Sequence, residues 1–211
     1  TAGRDRRWRR LAAVAAGLRP GDHALDACCG TGDLAFSLLD VCPGCTVTGL
    51  DATPAMLALA EAKAAARRRR GEPAAVRFVL GDLLDLPFAD DSFAAVTVGW
   101  GLRNVPDLRR ALREAVRVTR PGGRVVCLDS TRPEGVWQAR LHALWSGRLV
   151  PALGRVVTGH REAYAYLPES VATFPDAPGL AAAMAAAGLV RVRYRRLALG
   201  GVALHVGEVP A

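Results

Sequence analysis

Carboxylates at three places in the first half of the chain stand where a ligand could be held. The first lies in the turn Leu25-Asp26-Ala27-Cys28-Cys29-Gly30-Thr31-Gly32-Asp33, set between a short apolar run and a helical stretch. Gly30 and Gly32 let such a turn bend sharply and bring backbone close to a bound group. Asp51 closes the next apolar run, about 20 residues beyond Gly32, the spacing at which a strand-end carboxylate meets ribose hydroxyls. Gly81-Asp82 ends a third run, where an aspartate can accept from an adenine amino group or simply cap a turn. The glycine pattern is not that of a pyrophosphate binder. After Gly32 come Asp33, Leu34 and Ala35, and an acidic residue there repels phosphate. Asp26 and Asp33 suit a cationic adenosyl ligand without phosphate, which points to S-adenosylmethionine rather than a dinucleotide.

The elements that must position these residues alternate. Apolar runs at 23–27, 46–50, 76–80, 94–98 and 124–128 read as strands. Helical stretches at 6–18, 33–39, 53–70 and 106–118 lie between or before them, with Pro20-Gly21 as the stop of the first and Thr53-Pro54 as the start of the third. Strand–helix repetition predicts a parallel sheet with helices on both faces. Further on, 136–149 reads as helical, 151–174 as irregular and 178–187 as an Ala-rich helix. The runs 189–197 and 202–208, joined across Gly200-Gly201, read as a last strand pair that makes one strand antiparallel. The expectation is one α/β domain over residues 1–211: a Rossmann-like sheet of seven mostly parallel strands, with one antiparallel strand near the C-terminus.

Composition narrows the classes. The formal net charge is +8, carried almost wholly by arginine, with Lys63 the one lysine. Such a surface attracts anions, but the arginines are dispersed and few aromatics interleave with them, so a nucleic-acid binder or RNA methyltransferase is the weaker class. No run approaches the ~18–20 apolar residues of a membrane span, and a cytoplasmic protein is expected. Cys42-Pro43-Gly44-Cys45 falls after a helix and before a strand, the wrong place for a thioredoxin-like motif. Two thiols also fall short of a closed zinc site, so no metal is expected.

Longer segments carry a resemblance. DLLDLPFADDSFAAVTVGWGLRNVPD (82–107), RVTRPGGRVVCLDSTRP (117–133), REAYAYLPESVATFPD (161–176) and GGVALHVG (200–207) closely resemble the ubiquinone/menaquinone biosynthesis C-methyltransferases, over nearly the whole chain. The resemblance implies a class I methyltransferase fold and transfer of a methyl group from S-adenosylmethionine to a quinol ring carbon, leaving S-adenosylhomocysteine. Demethylmenaquinol is the leading substrate. The resemblance also implies that Thr31 with Gly30 and Gly32 holds the methionine end, Asp51 the ribose, Asp82 and Leu83 the adenine, and Gly99 the sulfonium region.

Three departures from the family pattern bear on the substrate. Of the N-terminal lid only the basic segment 6–10 is recognisable, Asp129-Ser130-Thr131 stands where Glu-Phe-Ser is common, and His160 precedes Arg161-Glu162-Ala163-Tyr164. For the chemistry, Arg103 is the candidate stabiliser of a phenolate oxygen, with a structural ion pair as the alternative. Asn104 is expected to orient Arg103 or to cap the following helix. His160 is the candidate base, and Trp100, Tyr164 and Tyr166 are expected to line the substrate pocket. The arginines and Trp8 of segment 6–10 suggest contact with the inner face of the cell membrane, where a lipophilic quinol resides. A homodimer is compatible with this. The alternatives are a same-family enzyme acting on another small phenol or polyketide, and a non-catalytic assembly subunit.

Overall fold

A computed structural model describes residues 3–132 and 173–211. Its framework is a seven-stranded sheet of β1 (His23–Ala27), β2 (Thr46–Asp51), β3 (Val76–Leu80), β4 (Phe93–Gly99), β5 (Thr119–Ser130), β6 (Val190–Leu197) and β7 (Val202–Glu208). The order across the sheet is β3-β2-β1-β4-β5-β7-β6. All neighbouring pairs are parallel except those made by β7, which runs antiparallel to both β5 and β6. The chain reverses direction of strand addition between β1 and β4, and ligands of open α/β sheets bind outside the strand carboxyl ends at that point.

Helices α1 (Arg4–Ala16), α2 (Asp33–Val41), α3 (Pro54–Arg69), α4 (Leu108–Val118) and α5 (Ala177–Ala186) cover the sheet. Two buried clusters divide between its faces. Ala12, Ala13 and Ala16 of α1 and Leu34, Leu38 and Leu39 of α2 pack with Ala24, Val126 and Leu128. Leu112 and Ala115 of α4 and Leu180 and Met184 of α5 pack with Leu25, Val125 and Cys127. Neighbouring strand residues thus feed opposite faces, both buried, so these strands read as continuous apolar runs.

Several boundaries differ from expectation for local reasons. Helix α1 stops earlier than Pro20-Gly21, because Gly17 takes a left-handed φ of 66° and donates its N–H to the Val14 carbonyl. Helix α4 starts at Leu108 rather than Pro106, because the Asp107 carboxylate accepts the Arg110 N–H at 2.9 Å. Strand β5 extends back through Pro121-Gly122-Gly123 to Thr119. Thr53 does precede Pro54 at the start of α3, but its side chain makes no capping bond. Its N–H instead donates to Asp51 Oδ1 at 2.9 Å. Cys42 and Cys45 are joined as a disulfide across the α2–β2 turn. The helix expected at 136–149 and the irregular stretch that follows lie largely outside the described residues.

Candidate functional site

The carboxyl ends of β1 and β4 meet at a cleft, beside the end of β2. A cavity of about 150 Å³ there is lined by Asp26, Cys28, Gly30, Thr31, Gly99 and Trp100, among others. Two non-glycine residues on its wall have left-handed backbones, Cys28 with φ 58° and Trp100 with φ 56°. Such conformations cost of order 1–3 kcal/mol each and persist where surrounding structure enforces them. Here the Trp100 N–H is tied to the Leu128 carbonyl at 2.8 Å and the Cys29 N–H to the Leu50 carbonyl at 2.9 Å. A side chain at Gly101 would collide with Cys28, so the two strand ends can approach only because that position is glycine.

Asp26 is fully buried at this convergence. Thr97 donates its hydroxyl to Asp26 Oδ1 at 2.9 Å, while Oδ2 meets no hydrogen-bond partner among the described residues. Burial pushes its carboxyl up to about 7, with the Thr97 hydroxyl and the Ala35 backbone N–H pulling against it. Asp51 is tied into the glycine turn, with Oδ2 accepting the Gly30 N–H at 2.7 Å while Oδ1 holds Thr53. Each oxygen keeps further accepting capacity. Gly32 takes φ 80° immediately before α2. Asp82 is exposed, and its Oδ1 closes the following turn by accepting the Leu84 N–H at 2.9 Å. Leu83 is buried in the core with Leu86.

Asp33 differs from expectation. Its charge does not face the cleft alone, because Oδ1 accepts from Lys63 Nζ at 2.7 Å and Oδ2 from Arg9 Nη1 at 3.1 Å. Lys63 also donates to the Thr31 hydroxyl at 2.7 Å. Neither Arg9 nor Lys63 stands out in the sequence as a site residue. The signals that could have found them were the isolation of Lys63 in an arginine-rich chain and the repeat of basic residues through segment 6–10.

Arg103 sits in a single 3-10 turn, Leu102–Asn104, beyond the end of β4. Its Nη1 donates to Asp129 Oδ1 at 2.7 Å and its backbone N–H to Oδ2 at 3.4 Å. Asp129, at the end of β5, is 2% exposed and also accepts the Ser130 N–H at 2.7 Å. Burial pushes its carboxyl above the usual range while Arg103 pulls against that. Arg103 is thus held in an ion pair with Asp129, and its Nε remains buried without a partner among the described residues. Asn104 fills neither of its expected roles. Asp129 orients Arg103, Asp107 caps α4, and the Asn104 amide reaches only the Trp100 carbonyl at 3.5 Å. His160, Tyr164 and Tyr166 lie outside the described residues. No group of three or more His, Cys, Asp or Glu residues among the described ones is arranged to hold a metal, and no described helix is long and apolar enough to cross a membrane.

A seven-stranded sheet with one antiparallel strand and a ligand cleft at its reversal point defines a class I methyltransferase fold. Solved structures agree. The [4+2]-cyclase SpnF superposes with a TM-score of 0.73 at 20% identity, covering 98% of this chain and 82% of that one. A geranyl diphosphate methyltransferase in complex with SAM gives 0.68 at 18% identity, covering 96% and 84%. The sequence places the chain more narrowly: it belongs to the ubiE/COQ5 methyltransferase family, whose model matches residues 2–209. A demethylmenaquinone methyltransferase of Thermus thermophilus is 44% identical over 208 residues, covering 99% of this chain and 92% of that protein. A ubiquinone/menaquinone biosynthesis C-methyltransferase of Paracoccus denitrificans is 41% identical over 189 residues, covering 90% and 74%.

Proposed function

We propose that this protein binds S-adenosylmethionine in the β1–β2–β4 cleft and methylates a ring carbon of demethylmenaquinol. The observation that carries the reading is the match, over 99% of the chain, to a relative named for that reaction. The cleft's chemistry fits the cofactor. Asp26 offers a buried, unpartnered carboxylate oxygen to a cation, the glycine turn brings backbone close, and Asp51 stands at a strand end with accepting capacity for ribose hydroxyls. Asp82 is the proposed partner of the adenine amino group. Gly99 suits a close approach, since a side chain there would stand 3.0 Å from Leu34.

When bound, the cofactor supplies an electrophilic methyl group on a sulfonium. The protein's task is positioning and electrostatics. Holding the reacting atoms about 3–3.5 Å apart and in line can remove roughly 7–11 kcal/mol of barrier. Arg103 is the proposed donor to the quinol oxygen. Asp129 holds its Nη1, which fixes the guanidinium fork and leaves the remaining N–H groups to turn toward a developing phenolate. Trp100 and the tyrosines Tyr164 and Tyr166 are the proposed walls of the ring site, and His160 is the proposed acceptor of the ring proton. The exposed arginines of α1, Arg6, Arg7 and Arg10, are proposed to meet anionic lipid where the isoprenoid tail resides.

The test is methyl transfer from labelled S-adenosylmethionine to reduced demethylmenaquinone in detergent, beside a tail-less naphthoquinol and a simple phenol. Labelled lipid quinol supports the proposal. Transfer to the phenol alone refutes it in favour of a redirected relative.

A further inference from the structure

Among the described residues, one cationic side chain lines the cleft around Asp26, and it comes from outside the sheet. Arg9 of α1 reaches across to the cavity that Asp26, Thr31 and Trp100 line. Its side chain is 15% exposed. One guanidinium nitrogen bonds Asp33 at 3.1 Å and another pairs with Asp5. The guanidinium carbon stands 5.8 Å from the centre of the Trp100 ring. Five N–H donors in a planar fork leave capacity beyond these two bonds. Asp33 does not depend on Arg9 alone, since Lys63 holds its other oxygen at 2.7 Å. Arg9 can therefore share or exchange its bond to Asp33 without leaving that carboxylate unpaired.

The methionine end of S-adenosylmethionine is a zwitterion, with an ammonium and a carboxylate on one carbon. Asp26 offers an acceptor and no donor when ionised, so it answers only the ammonium. The carboxylate is held most strongly by a cation, and Arg9 is the cation that lines the cleft among the described residues. We infer that Arg9 is a cofactor-binding residue that pairs with the carboxylate of the methionine end, so that α1 closes the cofactor site. The inference rests on the proposed cofactor. It also gives segment 6–10 a division of labour, with Arg9 turned inward while Arg6, Arg7 and Arg10 face solvent.

Calorimetry with three ligands tests it: S-adenosylhomocysteine, decarboxylated S-adenosylmethionine, and 5′-methylthioadenosine, which lacks the amino-acid end. Arg9→Met is expected to weaken S-adenosylhomocysteine roughly 10- to 100-fold, as befits a lost charge-assisted bond, and to leave the two carboxylate-free ligands within about 2-fold of wild type. Arg9→Lys keeps a charge for Asp33 and is expected to show the same ligand-selective loss in smaller measure. It serves as the test if Arg9→Met does not fold. Equal weakening of all three ligands would make Arg9 a packing residue and overturn the inference, as would no weakening of any. Failure of the wild type to bind S-adenosylhomocysteine would instead sink the cofactor assignment itself.

Discussion

The Arg103–Asp129 pair lends itself to a quantitative test. At 2.7 Å and an effective dielectric of about 20, two unit charges attract by roughly 6 kcal/mol. Desolvation costs several kcal/mol per ion, so the net worth of the pair against an apolar replacement is small. Removing one partner is different, because the other charge stays buried. Asp129→Asn strands a guanidinium that is 13% exposed and cannot discharge, and should cost about 3–5 kcal/mol. For a chain of this size that is a fall in Tm of roughly 6–20 °C. Arg103→Met should cost less at low pH, because Asp129, already pushed up by burial, can take a proton. The double variant should recover much of the loss. Urea unfolding of the four proteins at pH 6 and pH 8 gives the cycle directly. A cost below about 1 kcal/mol for Asp129→Asn, or additivity within about 0.5 kcal/mol, would refute the reasoning. Single-turnover methyl transfer on the same proteins should show turnover lost in Arg103→Met with S-adenosylhomocysteine affinity unchanged.

Other outcomes follow from the same geometry. Asp51→Ala removes the acceptor of the Gly30 and Thr53 N–H groups, and calorimetry should find S-adenosylhomocysteine binding weakened at least about 100-fold, the loss of two charge-assisted bonds. Because Asp26 holds its proton up to about pH 7 when folded but only to 3.8 when unfolded, the native state binds more protons between those values. The cofactor-free protein should therefore lose stability as pH rises from about 4 to 7, and Asp26→Asn should flatten that part of the urea-midpoint profile. Gly32→Ala should lower the thermal midpoint, because φ is 80° and an added Cβ would stand 2.9 Å from Phe78 and 3.0 Å from Phe36. An unchanged midpoint would show that the turn can relax.

Periodicity and turn residues determined the sheet, because strands buried on both faces must be apolar runs and each is punctuated by glycine, proline or a capping carboxylate. The same logic made Asp26, Asp51 and Asp82 legible, since each lies at or within two residues of the end of a strand. The antiparallel β7 was readable from Gly200-Gly201, which leaves no room for a crossover helix. Which carboxylates stay unpaired was not readable. Asp33 looked as available as Asp26 until α1 and α3 brought Arg9 and Lys63 to it from 24 and 30 residues away. Asp129 looked like a departure from a family pattern until β5 placed it beside Arg103, 26 residues earlier in the chain. Local sequence encodes where a strand ends and a turn begins, because those depend on neighbours a few residues apart. Charge compensation depends on groups that only the packing of helices on the sheet brings within hydrogen-bond reach, so the tertiary structure alone decided which ions of this site are free to act.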